Sequence, residues 1–84
     1  SQNTLNSYRR DLRRYTAYLA GVGVTTIDAV AQPHVSGFVA ALRAGDANHP
    51  ALLASSAARA VVAVRGLHRF AAREGITELD PAAA

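Results

Sequence analysis

The segment Asn3-Thr4-Leu5-Asn6-Ser7-Tyr8-Arg9-Arg10-Asp11-Leu12, continued by Arg13-Arg14-Tyr15-Thr16-Ala17-Tyr18-Leu19, decides the fold class. Leu5, Tyr8, Leu12, Tyr15 and Leu19 recur at steps of three and four, the spacing that lines side chains along one stripe of an α-helix. The pattern predicts a helix from about Thr4 to Ala20. Ser1 or Asn3 can accept from the free amides of its first turn, and Gly21 and Gly23 can supply the unwound exit.

Working outward, Val24-Thr25-Thr26-Ile27-Asp28-Ala29-Val30 reads as a connector, since its paired β-branched threonines disfavour a long helix while Thr26 can cap one short turn. Gln32-Pro33 marks a second helix start, because proline in the first turn loses no useful donor. Val35, Phe38, Val39 and Leu42 are its expected buried stripe, and Ala44-Gly45 its end. The turn formers Gly45-Asp46-Ala47-Asn48-His49-Pro50 predict an exposed loop. A last helix is expected from near Ser55 to Glu74, with Ala57, Val61, Val64, Leu67 and Ala71 inward and Gly75 as its exit. Ile76 to Ala84 carries Asp80-Pro81 and an alanine tail and reads as the start of a linker, which divides the chain into a domain at 1–75 and a linker at 76–84.

At 84 residues the chain fits one domain, and one of this size buries only roughly 60% of its unfolded surface. There is no cysteine, so disulfide frameworks, thiolate nucleophiles and cysteine metal sites are excluded. No apolar run approaches the ~20 residues that cross a bilayer, and the start lacks a secretory pattern. A soluble, cytoplasmic domain without membrane contact is expected. All nine cationic side chains are arginine; against six acids they leave a net charge of +3. That excess favours a polyanionic partner or serves solubility alone, and position must decide between them.

At about 100° per residue, Asn3, Asn6, Ser7, Arg10 and Arg14 fall opposite the apolar stripe of the first helix. Arg9-Arg10 and Arg13-Arg14 form two i,i+4 pairs that repel by a few tenths of a kcal/mol each without an anion. Such a face invites a phosphate backbone; the bland alternative is a solvated face on which Asp11 offsets some charge. On the last helix Arg59, Arg65, Arg69 and Arg73 share a broad arc, with Ser55 and Ser56 at its N-terminus. Free amides, the positive dipole end and Arg59 together suit a phosphate or a base edge. Surface arginines behind a capping serine pair are the alternative.

His34, His49 and His68 have no metal-site spacing, and His68 is expected at the boundary of the core. The acids lie mostly in loops and at helix ends, so no paired-carboxylate centre arises, and no glycine-rich phosphate loop is present. No cofactor, metal, small-molecule substrate or catalytic centre is expected in this chain. Tyr8 and Tyr15 are read as core tyrosines.

The stretch Asn3 to Leu12 closely resembles the second helix of the core-binding domain of Xer-type tyrosine site-specific recombinases. Ser55-Ser56-Ala57-Ala58-Arg59 through Val64-Arg65 to Phe70, then Arg73-Glu74-Gly75, looks like the family's fourth helix, and Asp80-Pro81-Ala82 resembles its exit toward the catalytic domain. The resemblance implies an all-α, SAM-like orthogonal bundle that clamps double-stranded DNA from one side, its second and fourth helices approaching the major groove. It implies a tetrameric parent enzyme on paired sites, acting in DNA integration or chromosome dimer resolution through a phosphotyrosyl intermediate. The nucleophilic tyrosine and its assistants belong to the family's C-terminal domain, and Tyr18 lacks their motif.

By position, Thr4, Ser7, Ser56 and Arg59 match contacting residues of the family; Asn6, Arg10, Arg14, Ser55 and Arg65 are added from charge and face. Two departures stand out. The family has a further helix before the position of Asn3, leaving three main helices here, and relatives often carry an aromatic residue where His68 stands. A competing reading makes the domain a protein-interaction module for subunit assembly, with Val62 and Phe70 as exposed apolar edges.

Overall fold

A computed structural model describes residues 1–83 as three α-helices, α1 (Gln2–Gly21), α2 (Gln32–Ala44) and α3 (Ala54–Arg73), with one 3-10 turn at Ile27–Ala29 between the first two. Among the described residues there is no strand, so the chain is an all-α bundle.

Local chemistry sets the boundaries. The Ser1 hydroxyl caps α1 by accepting from the Thr4 amide at 3.3 Å. At its other end Val24 N donates to Leu19 O at 2.8 Å and Gly23 N to Ala20 O at 3.0 Å, a Schellman exit with Gly23 at φ 84°. The same device ends α3, where Ile76 N reaches Ala71 O and Gly75 stands at φ 72°. α2 opens with Pro33 in its first turn, and His34 Nδ1 accepts from the Ala31 amide at 2.9 Å. The loop after α2 is closed tightly. Asp46 Oδ1 accepts from the amides of Asn48 and His49, both at 2.8 Å, and the Asn48 bond is the main cause that holds this carboxyl below its ordinary range.

Tyr15, Leu19, Val24, Val30, Phe38, Leu42, Ala57, Ala60 and Val64 form the core, flanked by Tyr18, Val35, Leu52 and Leu67. Phe38 is its centre: its ring lies 4.8 Å from that of Tyr15 and 5.6 Å from that of Tyr18. A Cβ on Gly37 would collide with the Tyr18 hydroxyl, so glycine lets that ring cross α2. On α3 the inward row is small, with Ala57, Ala60, Ala63 and Ala71 all buried. Small residues let α1 approach closely, and the larger side chains of α1 and α2 then fill the interior.

Two expectations, and one alternative reading, need correction. Leu5 and Tyr8, expected inside, are exposed, while Asp11 is 4% exposed and Arg14, Tyr18 and Ser7 are half-buried. The inward face of α1 is therefore rotated toward the Ser7–Asp11–Tyr18 side, with Leu5 left on the open flank and Tyr8 only partly covered, its hydroxyl lying near Gly66 of α3. His68, expected at the core boundary, is fully buried. Ser55 and Ser56 do not cap α3; its cap position is Leu53, which has no polar side chain, and the serines lie within the first turn. The segment after Gly75 also turns back on the bundle, burying Thr77 and Ala82, with Asp80 Oδ1 accepting from the Ala82 amide at 3.0 Å.

Candidate nucleic-acid interface

α1 and α3 build a shallow groove of about 330 Å³ lined by Asn3, Thr4, Ser7, Tyr8, Asp11, Arg59, Val62 and Ala63. Thr4, Ser7 and Arg59, marked from sequence on helices about fifty residues apart, share this one groove. Thr4 is exposed, its hydroxyl 3.0 Å from that of Ser1. Ser7 is half-buried and its hydroxyl accepts from Arg10 Nη2 at 3.3 Å. Arg10 is exposed beside it, and exposed Asn6 accepts from Gln2 Nε2 at 3.3 Å. Ser55 is exposed and Ser56 half-buried, one turn before Arg59.

Arg59 does not stand alone. Its Nε donates to Asp11 Oδ2 at 2.9 Å and its Nη2 to Asp11 Oδ1 at 3.1 Å, a bidentate pair joining the two helices. The Asp11 side chain is 5% exposed and that of Arg59 44%, so the carboxylate is the buried partner and the guanidinium the outward one. The hydrogen bonds to Asp11 hold the guanidinium still more firmly protonated. Neither the depth of Asp11 nor the pairing was foreseen. An acid set among four arginines was the available signal, yet it lies just off the apolar stripe and reads equally well as a surface counter-charge.

Two marked arginines lie elsewhere. Arg14 is half-buried beside Tyr18, Asp46 and His49, and its Nη2 is buried without a hydrogen-bond partner among the described residues. Arg65 is exposed and lines a different groove, with Gln32, Ser36, Pro81 and Ala82. Arg9, Arg10 and Arg13 are exposed, and none meets a carboxylate among the described residues.

A second polar link joins the same helices in the interior. The Tyr15 hydroxyl lies 2.6 Å from His68 Nε2, both side chains fully buried, with the rings edge to face. Burial holds the imidazole below its ordinary pKa, against the weaker pull of Asp80, and raises the Tyr15 phenol to about 12. With both groups neutral, donation from tyrosine to Nε2 leaves only Nδ1–H without a partner; the other tautomer strands the phenolic hydrogen as well. Such a pair is structural. No group of three or more His, Asp or Glu among the described residues is arranged to hold a metal, and no described helix is long and apolar enough to cross a membrane.

Comparison with known proteins agrees with this architecture. The family model described as phage integrase, N-terminal SAM-like domain, matches residues 1–75. The chain is similar to tyrosine recombinase XerD of Mycobacterium tuberculosis (strain H37Rv), 58% identical over 98% of this chain and 27% of the relative. It is similar to XerD of Corynebacterium glutamicum at 46% over 99% of this chain and 27% of the relative, and to tyrosine recombinase XerC of Pseudomonas putida (strain F1) at 37% over 98% and 26%. The chain thus spans about a quarter of the length of these relatives. No solved structure matches it.

Proposed function

Because the chain belongs to the phage integrase N-terminal SAM-like domain family, whose matched relatives are tyrosine recombinases, we propose that it clamps double-stranded DNA at a recombination half-site. The observation that carries this reading is the convergence of Thr4, Ser7 and Arg59 on one groove between α1 and α3, with Arg10, an exposed cation without a carboxylate partner, beside Ser7. Exposed arginines neutralise phosphates and fix register, while short polar side chains at helix starts reach base edges. Asn6, Arg10, Ser55 and Ser56 border the groove in this reading, and Arg14 and Arg65, which stand apart from it, take flanking phosphates.

The residues after Gly75 lead toward a catalytic domain, and the full-length protein works as a cytoplasmic tetramer on paired sites. Its role is DNA integration or recombination, with chromosome dimer resolution carried by the Xer-type resemblance. The chain itself contributes binding and no chemistry.

Fluorescence anisotropy tests the binding step, with a short duplex carrying a family-like half-site against a scrambled one at two salt concentrations. Affinity should fall steeply as salt rises, with a preference for the half-site. Absence of binding at low salt contradicts the reading.

A second reading, a helical module for subunit assembly, is favoured by the exposed apolar side chains of α3, Val62 at 68% and Phe70 at 58% exposure. Concentration-dependent association that salt leaves unchanged, abolished by Phe70→Ser, is its signature.

A further inference from the structure

α1 and α3 carry two kinds of arginine, and the following inference rests on the DNA-binding reading above. Arg9, Arg10 and Arg13 are exposed cations with no carboxylate beside them. Arg59 is bound through Nε and one Nη2 hydrogen to a nearly buried carboxylate on the facing helix. Of its five N–H groups this leaves both Nη1 hydrogens and the second Nη2 hydrogen, with no acceptor among the described residues. The open Nη1 and Nη2 hydrogens include a parallel pair at the end of the fork, on the edge adjacent to the one that Asp11 holds and sharing Nη2 with it.

We propose that Asp11 is a positioning residue that makes Arg59 a reader of a base edge, the paired acceptors of a guanine in the major groove, and not a phosphate contact.

Three physical arguments support this. A phosphate approaching Arg59 meets a cation whose charge Asp11 already balances, so little counterion release follows. A guanine edge offers two dipolar acceptors and needs matched donors more than net charge, which a parallel pair of N–H groups supplies. The long side chain has already lost its rotamer freedom in the free protein, so binding orders it at little further cost. A strut between helices would gain nothing from an outward edge, yet the Arg59 side chain is 44% exposed and opens on the same groove as Thr4 and Ser7.

The test selects binders from a library of duplexes with a randomised central segment, using the unaltered chain, D11N and the double substitution D11N/R59Q. The double substitution replaces an ion pair by a neutral pair and leaves no orphaned buried charge, and thermal unfolding of each chain confirms that it is folded. The unaltered chain should enrich a guanine at one fixed position. On that selected duplex D11N/R59Q should bind about 10- to 100-fold more weakly, lose the guanine preference and keep the slope of log affinity against log salt. D11N should weaken the preference and steepen the slope, since its freed guanidinium can turn to a phosphate.

A preference unchanged in both variants makes the pair a mere strut and overturns the proposal. A slope shallower by about 0.9 in D11N/R59Q, with the preference intact, makes Arg59 a phosphate contact and overturns it equally. In both cases the unaltered chain still binds in a salt-dependent way and the parent reading survives. Failure of the unaltered chain to bind any duplex removes the parent reading as well.

Discussion

α1 and α3 are joined by two polar links whose α1 members stand four residues apart, and the links differ in every physical respect. Tyr15 and His68 are neutral, fully buried and ringed by aromatic and aliphatic side chains. Asp11 and Arg59 are charged, and one of the two faces water. The inner link belongs to the packed interior, where a polar group must find a partner or cost free energy. The outer link spends its buried half on holding its exposed half in place. Stability should therefore depend most on the first and DNA readout on the second.

The largest effect should come from emptying the inner link. Tyr15→Ala removes a fully buried ring from against Phe38 and should cost about 3–5 kcal/mol in denaturant unfolding. Tyr15→Phe keeps the ring but orphans His68 Nε2, and about 1–3 kcal/mol is expected. A loss below about 0.5 kcal/mol for Tyr15→Phe would show that the hydroxyl does not stabilise the core.

The outer link should break asymmetrically. Arg59→Ala strands a nearly buried carboxylate and should cost about 2–4 kcal/mol, less than a fully buried pair because Arg59 is itself half in water. Asp11→Ala leaves an arginine that can rehydrate, so about 1 kcal/mol is expected. Equal losses, or the reverse order, in urea unfolding would mean that the carboxylate is less buried than the structure has it.

The inner link also sets a pH response. Burial depresses the folded-state pKa of His68 below its ordinary 6.5, so below about pH 6.5 the unfolded chain takes up a proton that the native state refuses. Stability should be flat above that pH and decline as pH falls toward the folded value. On the alkaline side, Tyr15, raised to about 12, stays protonated while the unfolded phenol ionises from about 10, so stability should fall again there. Melting curves from pH 5 to 8 should flatten in His68→Asn; an unchanged slope would assign the decline to other groups.

The smallest effect on stability belongs to the exposed arginines. Arg10→Ala should shift the unfolding free energy by less than about 0.5 kcal/mol while making the salt dependence of DNA binding shallower by about 0.9. The two readouts together separate the phosphate-facing cations from Arg59.

Much of the fold was legible along the chain because helix periodicity and end signals are local. Ser1, Gly23, Pro33 and Gly75 act where their chemistry says they should, and α2 runs over the residues expected of it. Periodicity could not place the centre of the buried face of α1, since Leu5 and Tyr8 fit the stripe as well as Tyr15 and Leu19 do. Which of them is covered depends on what lies above them. The candidate groove was legible in part: Thr4, Ser7 and Arg59 stand out one by one along the chain, while their meeting in one groove and the separation of Arg14 and Arg65 from it required the crossing of the helices. The partner of Arg59 lies 48 residues away along the chain, beyond the reach of any local signal.

By itself the sequence determined that this chain is helical, where its helices begin and end, and that arginine supplies all of its positive side-chain charge, because propensity, capping and charge reside in neighbouring residues. Only the tertiary structure decided that Asp11 lies inside with Arg59 turned outward upon it, and that His68 is sealed against Tyr15. Burial is a property of contacts between distant segments, and it is burial that separates a surface counter-charge from a clamp and a boundary histidine from a core one.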